Sequence, residues 1–195
     1  MTSPGHRLAL ENAEAWLYPG VFPPPDAAKH FKALYETLAW QETTINLFGR
    51  QMKSPRLSCW YGDKPYTYSG LTWQPRTWPQ ELAEIHIRVG QIADTPFNGA
   101  LVNLYRDGRD SMGWHADDEP ELGPDPIIAS VVFGTTRRFV FRNKSNKTQK
   151  LEVPLTDGDV LVMGPGTQTN WLHAVPKSTK PVGPRINLTF RWIEK

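Results

Sequence analysis

The chain has 195 residues, 39% of them hydrophobic and 22% charged, and a formal net charge of +2. That balance suits one domain with a buried core and excludes a disordered chain, while a mildly basic surface permits nucleic-acid binding without requiring it. No apolar run approaches the roughly 18 residues of a membrane-spanning helix, and a lone cysteine, Cys59, excludes an internal disulfide or a multi-cysteine zinc site.

In chain order, the opening residues MTSPGHRLALENAEAW lack the basic start and apolar stretch of a secretory signal, so an intracellular setting is expected. Pro23, Pro24 and Pro25 lead into a predicted helix over about Asp26–Trp40, with Asp26 as its cap and Phe31, Leu34, Tyr35 and Leu38 as its apolar stripe. A second helix is predicted over about Pro79–Ile92, with Pro79 in its first turn and Leu82, Ile85, Val89 and Ile92 facing the core. Beyond Asn98 the pattern changes to strands: Ala100–Tyr105, Ile127–Phe133, Arg138–Arg142, Lys150–Val153, Val160–Met163 and Arg185–Trp192. RNKSNKTQK, from Arg142 to Lys150, reads as a polar, basic hairpin loop. Helices followed by short strands predict an α+β fold with an antiparallel sandwich or jelly-roll core.

Two motifs carry chemistry. In Gly113-Trp114-His115-Ala116-Asp117 an imidazole and a carboxylate stand two residues apart, and on an extended strand both point the same way. With His173 as the third ligand they form a two-histidine, one-carboxylate set, the donor pattern of non-haem iron(II) oxygenases. Taken alone, the pair is a weak signal, since such side chains more often serve structure. The second motif is the alternating segment Arg185-Ile186-Asn187-Leu188-Thr189-Phe190-Arg191-Trp192. Its polar face suits either an edge strand open to water or a receptor for a dicarboxylate, since guanidinium forks match carboxylates. Asn103 and Tyr105 repeat the polar alternation on an earlier strand.

Asn-x-Tyr, His-x-Asp, His and Arg-x-Asn-x-Thr-Phe-Arg, in that order over about residues 97–193, resemble the AlkB family of 2-oxoglutarate dioxygenases, and its DNA-repair subgroup in particular. The resemblance implies one domain over 1–195. An N-terminal extension, supporting helices and a nucleotide-recognition lid would occupy about 1–96, and a double-stranded β-helix about 97–195. It implies iron(II) on His115, Asp117 and His173, and dioxygen at an open iron position. The 2-oxoglutarate would be held by Arg185, Arg191, Asn187, Thr189, Asn103 and Tyr105, with Arg185 on its far carboxylate. It also implies a monomer acting on DNA, or RNA, with alkylated bases. The setting would be the cytoplasm, at the nucleoid of a bacterium, or the nucleus of a eukaryote.

Several residues bear on substrate. Glu119 would favour a positively charged methylated base, or else belongs to a solvated acidic loop. Tyr66 and Tyr68, in the aromatic segment Trp60–Gly70, would stack on an extruded base, or else pack on the core. Phe48, in Leu47-Phe48-Gly49-Arg50, would act as a wedge, or else be buried. Arg56, Arg137, Arg138, Lys144, Lys147 and Lys150 are candidate phosphate contacts. The competing readings are a hydroxylase of protein or a small molecule, and a non-catalytic jelly-roll binding domain.

Overall fold

Strand residues point alternately to opposite sides of a sheet, so each strand here supplies two layers at once. The computed structural model describes residues 4–47, 50–68 and 70–194. Two short strands, β1 (His6–Arg7) and β2 (Ala15–Tyr18), lead to helix α1 (Pro24–Thr37). The pair β3 (Gln41–Leu47) and β4 (Arg50–Gly62) and the small pair β5 (Tyr66–Tyr68) and β6 (Leu71–Trp73) precede helix α2 (Gln80–Ala93). Then come β7 (Gly99–Tyr105), β8 (Met112–His115), β9 (Ile128–Gly134), β10 (Arg137–Asn143), β11 (Lys150–Leu155) and β12 (Val160–Met163). A helical turn, α3 (Thr167–Asn170), introduces β13 (Trp171–Val175), and a loop leads to β14 (Arg185–Arg191).

The major sheet has eight strands in the order β1-β2-β12-β9-β14-β7-β4-β3, and the minor sheet has four in the order β11-β10-β13-β8. Neighbours run antiparallel in both sheets. Val102, Leu104, Val131, Ile186, Leu188 and Phe190 line one face of the major sheet, where Ala27, Leu34, Leu82, Ile85 and Val89 of the helices cover them. Leu34, Leu82 and Ile85 are fully buried, and each such side chain contributes about 1.5–3 kcal/mol. On the opposite face Leu101, Val132, Leu161 and Met163 meet Phe139, Phe141, Val153 and Val175 of the minor sheet. The result is an antiparallel α+β architecture with α1 and α2 together on the outer side of the major sheet.

Both predicted helices are present with shifted ends. The first begins two residues earlier than expected, because Pro24 and Pro25 occupy the first turn, where no amide donor is needed. Asp26 lies in that turn and makes no cap hydrogen bond. The helix stops at Thr37 because Leu38 is extended, and the Trp40 indole donates to the Tyr35 carbonyl freed there. Tyr35 is exposed and stacks on Phe31 instead of facing the core. Pro79 caps the second helix from outside rather than starting it.

The predicted strands all appear, but Trp192 lies beyond β14 and is exposed. Strands also precede and separate the helices. Their sequences, such as Gln41-Glu42-Thr43-Thr44 and Gln51-Met52-Lys53-Ser54, carry too few apolar residues to show the alternation. Yet β2 pairs with β12 and β4 with β7, so the first half of the chain completes both wings of the major sheet.

Candidate active site

The two sheets bring the distant motifs together. His173 on β13 is paired directly with His115 on β8, and their rings lie 4.2 Å apart. β8 ends at His115, so Asp117 stands just beyond the strand rather than on it. Its backbone N–H donates to Gln168 Oε1 on α3 (2.9 Å), which fixes the carboxylate where the strand no longer does. One ligand atom each from His115, Asp117 and His173 lie within 4.8 Å of one another, and His173 Nε2 is 3.7 Å from Asp117 Oδ2. Ligands about 2.1 Å from one ion on a shared octahedral face stand about 3 Å apart, so a small closure would suffice.

The protonation states suit a cation. His115 Nδ1 donates to the Gly113 carbonyl (2.9 Å), which leaves the Nε2 lone pair free. Burial, and then the neighbouring His115, push the His173 imidazole down to about 3, and burial lowers His115 as well. Both rings are therefore neutral near pH 7. Burial would raise the Asp117 carboxyl, but Arg191 and then the two histidines outweigh it and hold it at about 2. Arg191 Nη2 donates to Asp117 Oδ1 at 2.6 Å, while the buried Oδ2 has no hydrogen-bond partner. A buried carboxylate oxygen with a spare lone pair beside two free imidazole nitrogens fits a divalent metal.

β14 supplies the second half of the site. It lies between β9 and β7 in the middle of the major sheet, and every residue from Arg185 to Arg191 is buried. The alternative of a water-facing edge strand is thereby excluded. Arg185 Nη2 and Ser130 Oγ both donate to Asn187 Oδ1 (3.0 and 3.1 Å), and Asn187 Nδ2 donates to Thr189 Oγ1 (3.0 Å). Asn103 Oδ1 is likewise filled, by Arg56 Nε (2.9 Å) and Ser58 Oγ (2.8 Å), so its amide donors remain for the cavity it lines. Asn103, Tyr105, Asn187, Thr189 and Arg191 share that cavity with all three candidate metal ligands.

Arg185 is the least satisfied group. It is 0% exposed, its guanidinium lies 5.3 Å from the Tyr105 ring centroid, and Nε and Nη1 have no hydrogen-bond partner. Burial lowers it only to about 10, so it is charged at neutral pH, and it meets no carboxylate among the described residues. A buried cation with two idle donors is costly unless an anion arrives. Arg191 Nε is idle as well. The donor set therefore fits a small dicarboxylate such as 2-oxoglutarate.

The remaining candidates divide. Tyr66 is fully buried, stacked between Trp60 (4.7 Å) and Tyr68 (6.3 Å), and Arg191 lies 5.2 Å from its ring centroid. Gly99 makes the stack possible, because a Cβ there would collide with the Trp60 ring. Tyr68 stands edge-on to His115 at 6.4 Å. Glu119 is partly buried, with Oε2 and the nearby Tyr66 hydroxyl both unpaired. Burial, and then Asp117, raise its carboxyl above the usual range. Of its two readings, the solvated loop is therefore the weaker.

Two expected phosphate contacts need correction. Arg56 is buried and bound to Asn103 and to the Ser111 carbonyl, so it braces the cavity wall. Arg137 is buried and donates to the carbonyls of Asp107, Asp110 and Pro176. Arg138 pairs with Glu152 and Lys144 with Asp118, both near the surface. Phe48 falls outside the described residues. Gln168 and Ser130 escaped sequence reasoning. Ser130 left a faint signal, as a hydroxyl at an inward position of an apolar strand.

Comparison with known proteins adds three findings. The family model of the 2OG-Fe(II) oxygenase superfamily matches residues 14–191. Human alpha-ketoglutarate-dependent dioxygenase alkB homolog 3 is 39% identical over 91% of this chain and 65% of its own length. Mouse DNA oxidative demethylase ALKBH2 is 37% identical over 90% of this chain and 79% of its own. The chain thus spans a little under two thirds of the length of the human relative. The solved structure of OsALKBH1 superposes with a TM-score of 0.69 at 17% identity, covering 96% of this chain and 100% of that one.

Proposed function

The chain belongs to the 2OG-Fe(II) oxygenase superfamily, and from that premise we propose that it is an iron(II)- and 2-oxoglutarate-dependent dioxygenase. Its substrates in this reading are N-alkylated bases in DNA, of the 1-methyladenine and 3-methylcytosine type. The observation that carries the reading is a cavity shared by the His-Asp-His cluster and Tyr105, over whose ring lies the buried, anion-lacking guanidinium of Arg185. DNA as the substrate is supported by the names of two relatives, DNA oxidative demethylase ALKBH2 in mouse and in human, the latter 42% identical over 76% of this chain.

When bound together, iron(II), 2-oxoglutarate and dioxygen supply an oxidant able to hydroxylate a C–H bond, with succinate and carbon dioxide as co-products. The protein's part is binding, orientation and exclusion of water. His115, Asp117 and His173 would hold the ion, and three protein ligands would leave room there for the co-substrate and dioxygen. Arg191 holds Asp117 Oδ1, which leaves Oδ2 as the oxygen that would bind a metal. Arg185, whose guanidinium lies over the Tyr105 ring, would receive the far carboxylate, and the free Asn103 amide would donate from the adjacent strand. Tyr68 and His115 frame the place of an extruded base, and Tyr66 supports Tyr68 from behind. The Glu119 carboxylate favours a cationic methylated base over the neutral one. A hydroxymethyl group on a ring nitrogen departs as formaldehyde and needs no protein nucleophile. In this reading the two sheets are a double-stranded β-helix, with β5 and β6 as the nucleotide-recognition lid.

The test combines purified protein, iron(II), 2-oxoglutarate and a 1-methyladenine oligonucleotide. Succinate, formaldehyde and restored adenine should appear in equal amounts, and His115→Ala or Asp117→Ala should abolish all three. Wild-type turnover in both variants defeats the metal assignment. Succinate release that no methylated DNA stimulates, but RNA or a peptide does, defeats the substrate assignment alone.

A further inference from the structure

We propose that Trp114 and Arg142, on the outer face of the minor sheet, form a stacking platform for a nucleotide flanking the target base in single-stranded DNA. The inference rests on the DNA reading above and adds a place for the strand outside the catalytic cavity.

Phe141 points inward against His173, so its neighbour Arg142 points outward. Its guanidinium lies 4.3 Å from the Trp114 ring centroid, which puts Trp114 on the same outer face. His115, the next residue along the chain, turns inward to the metal cluster. β8 is the edge strand of its sheet, so the indole stands at the rim, one residue from a candidate ligand. At 39% exposure it leaves much of a large aromatic surface in water.

The charges around it favour an anion. Arg142 faces Lys150 directly across β10 and β11. Like charges placed opposite each other destabilise a sheet. Arg138 pairs with Glu152 and Lys144 with Asp118, but Arg142 and Lys150 have no ion pair among the described residues. Arg142 Nε also lacks a hydrogen-bond partner. An exposed aromatic ring backed by an unneutralised cationic pair suits a base with its phosphate, because bases stack on aromatic faces and phosphates relieve the repulsion. An acidic peptide would meet the charge but would leave the indole without a flat partner.

The test compares two substrates of one lesion: a 1-methyladenine oligonucleotide about eleven residues long, and the 1-methyladenine mononucleotide. Trp114→Ala should raise the oligonucleotide KM about tenfold relative to the mononucleotide KM, as loss of one base–aromatic stack implies. Trp114→Phe should recover most of the difference, and iron(II) titration verifies that both variants are folded. Arg142→Ala should make oligonucleotide binding less salt-dependent, lowering the slope of log K against log[salt] by about 0.7. An unchanged KM ratio in Trp114→Ala, with the wild type repairing the oligonucleotide, overturns the platform while leaving the function standing. An acidic peptide that displaces the oligonucleotide from wild type but not from Trp114→Ala assigns the face to protein and overturns it as well. Wild type inert on every methylated oligonucleotide removes the parent reading and the platform with it.

Discussion

Replacing Arg191 by methionine keeps most of the side-chain volume and removes the charge. In the wild type its Nη2 donates to Asp117 Oδ1 at 2.6 Å, and both side chains are almost completely buried. Arg191 holds the Asp117 carboxyl at about 2, and Asp117 in turn holds Arg191 above its ordinary range against the pull of burial. Truncating one partner of such a pair strands the other charge, at a cost of about 3–5 kcal/mol. For a chain of this size that corresponds to a fall in Tm of roughly 10 °C. The measurement is thermal unfolding by circular dichroism, with and without a redox-inert divalent ion such as zinc(II). The metal-free protein should show the full loss, and the metal-loaded protein less, because the ion replaces the missing positive charge beside Asp117. Adding Asp117→Asn to Arg191→Met should restore much of the metal-free stability. A loss below about 1 kcal/mol, or a double variant no more stable than Arg191→Met alone, would refute the coupling and with it the account of how Asp117 is kept charged.

Arg185→Met should behave in the opposite way. It removes a buried cation that has no anion, so the ligand-free protein should be as stable or more so, while the 2-oxoglutarate KM rises about a hundredfold from the loss of two charged hydrogen bonds. Iron(II) affinity should stay at the wild-type level, and a parallel loss of iron would place Arg185 at the metal instead. Glu119→Gln should lower kcat/KM on cationic 1-methyladenine DNA about tenfold more than on a neutral methylated base, and equal losses would return Glu119 to the acidic loop. Lowering pH should destabilise the metal-free protein. Burial holds His173 at about 3, below its ordinary 6.5, so its contribution is fully present above pH 6.5 and is lost progressively as pH falls toward 3, amounting to about 2 kcal/mol by pH 5. His173→Gln should flatten that slope in a Tm-against-pH series, and an unchanged slope would mean that another group titrates there.

Much of the site was legible because its residues sit on strands of fixed alternation. Arg185, Asn187, Thr189 and Arg191 had to share a face whatever the strand's position, and so did Asn103 and Tyr105. Sequence left the position itself open. Whether a polar face meets water or a cavity depends on which strands flank it, and only the pairing of β14 with both β7 and β9 settles that. His115 and Asp117 were legible as a pair, yet the strand ends between them, and the tie that fixes Asp117 comes from Gln168 on a four-residue helix. Nothing local distinguishes that glutamine from a surface one. Arg56 misled for a related reason. An arginine in a polar strand reads as exposed, whereas its hydrogen bond to Asn103 depends on the register of β4 against β7.

The hydrogen bonds of the inner face explain why so many polar groups are tolerated in a folded core. The two amide acceptors on that face already have donors: Asn187 Oδ1 takes Arg185 and Ser130, and Asn103 Oδ1 takes Arg56 and Ser58. The groups without partners include, beside single atoms of Ser54, Tyr66, Glu119, Arg142 and His173, guanidinium donors on Arg185 and Arg191 and the lone pairs of Asp117 Oδ2 beside two neutral histidines. Idle donors require an acceptor such as a carboxylate, and idle lone pairs require a cation. A mutated or misregistered core would leave donors and acceptors idle at random. At Arg185, Arg191 and Asp117 the shortfall is sorted, anion-seeking at Arg185 and cation-seeking at Asp117, with Arg191 bonded to Asp117. The folded chain therefore carries the imprint of a chelated metal and a dicarboxylate in what its own side chains leave unsatisfied.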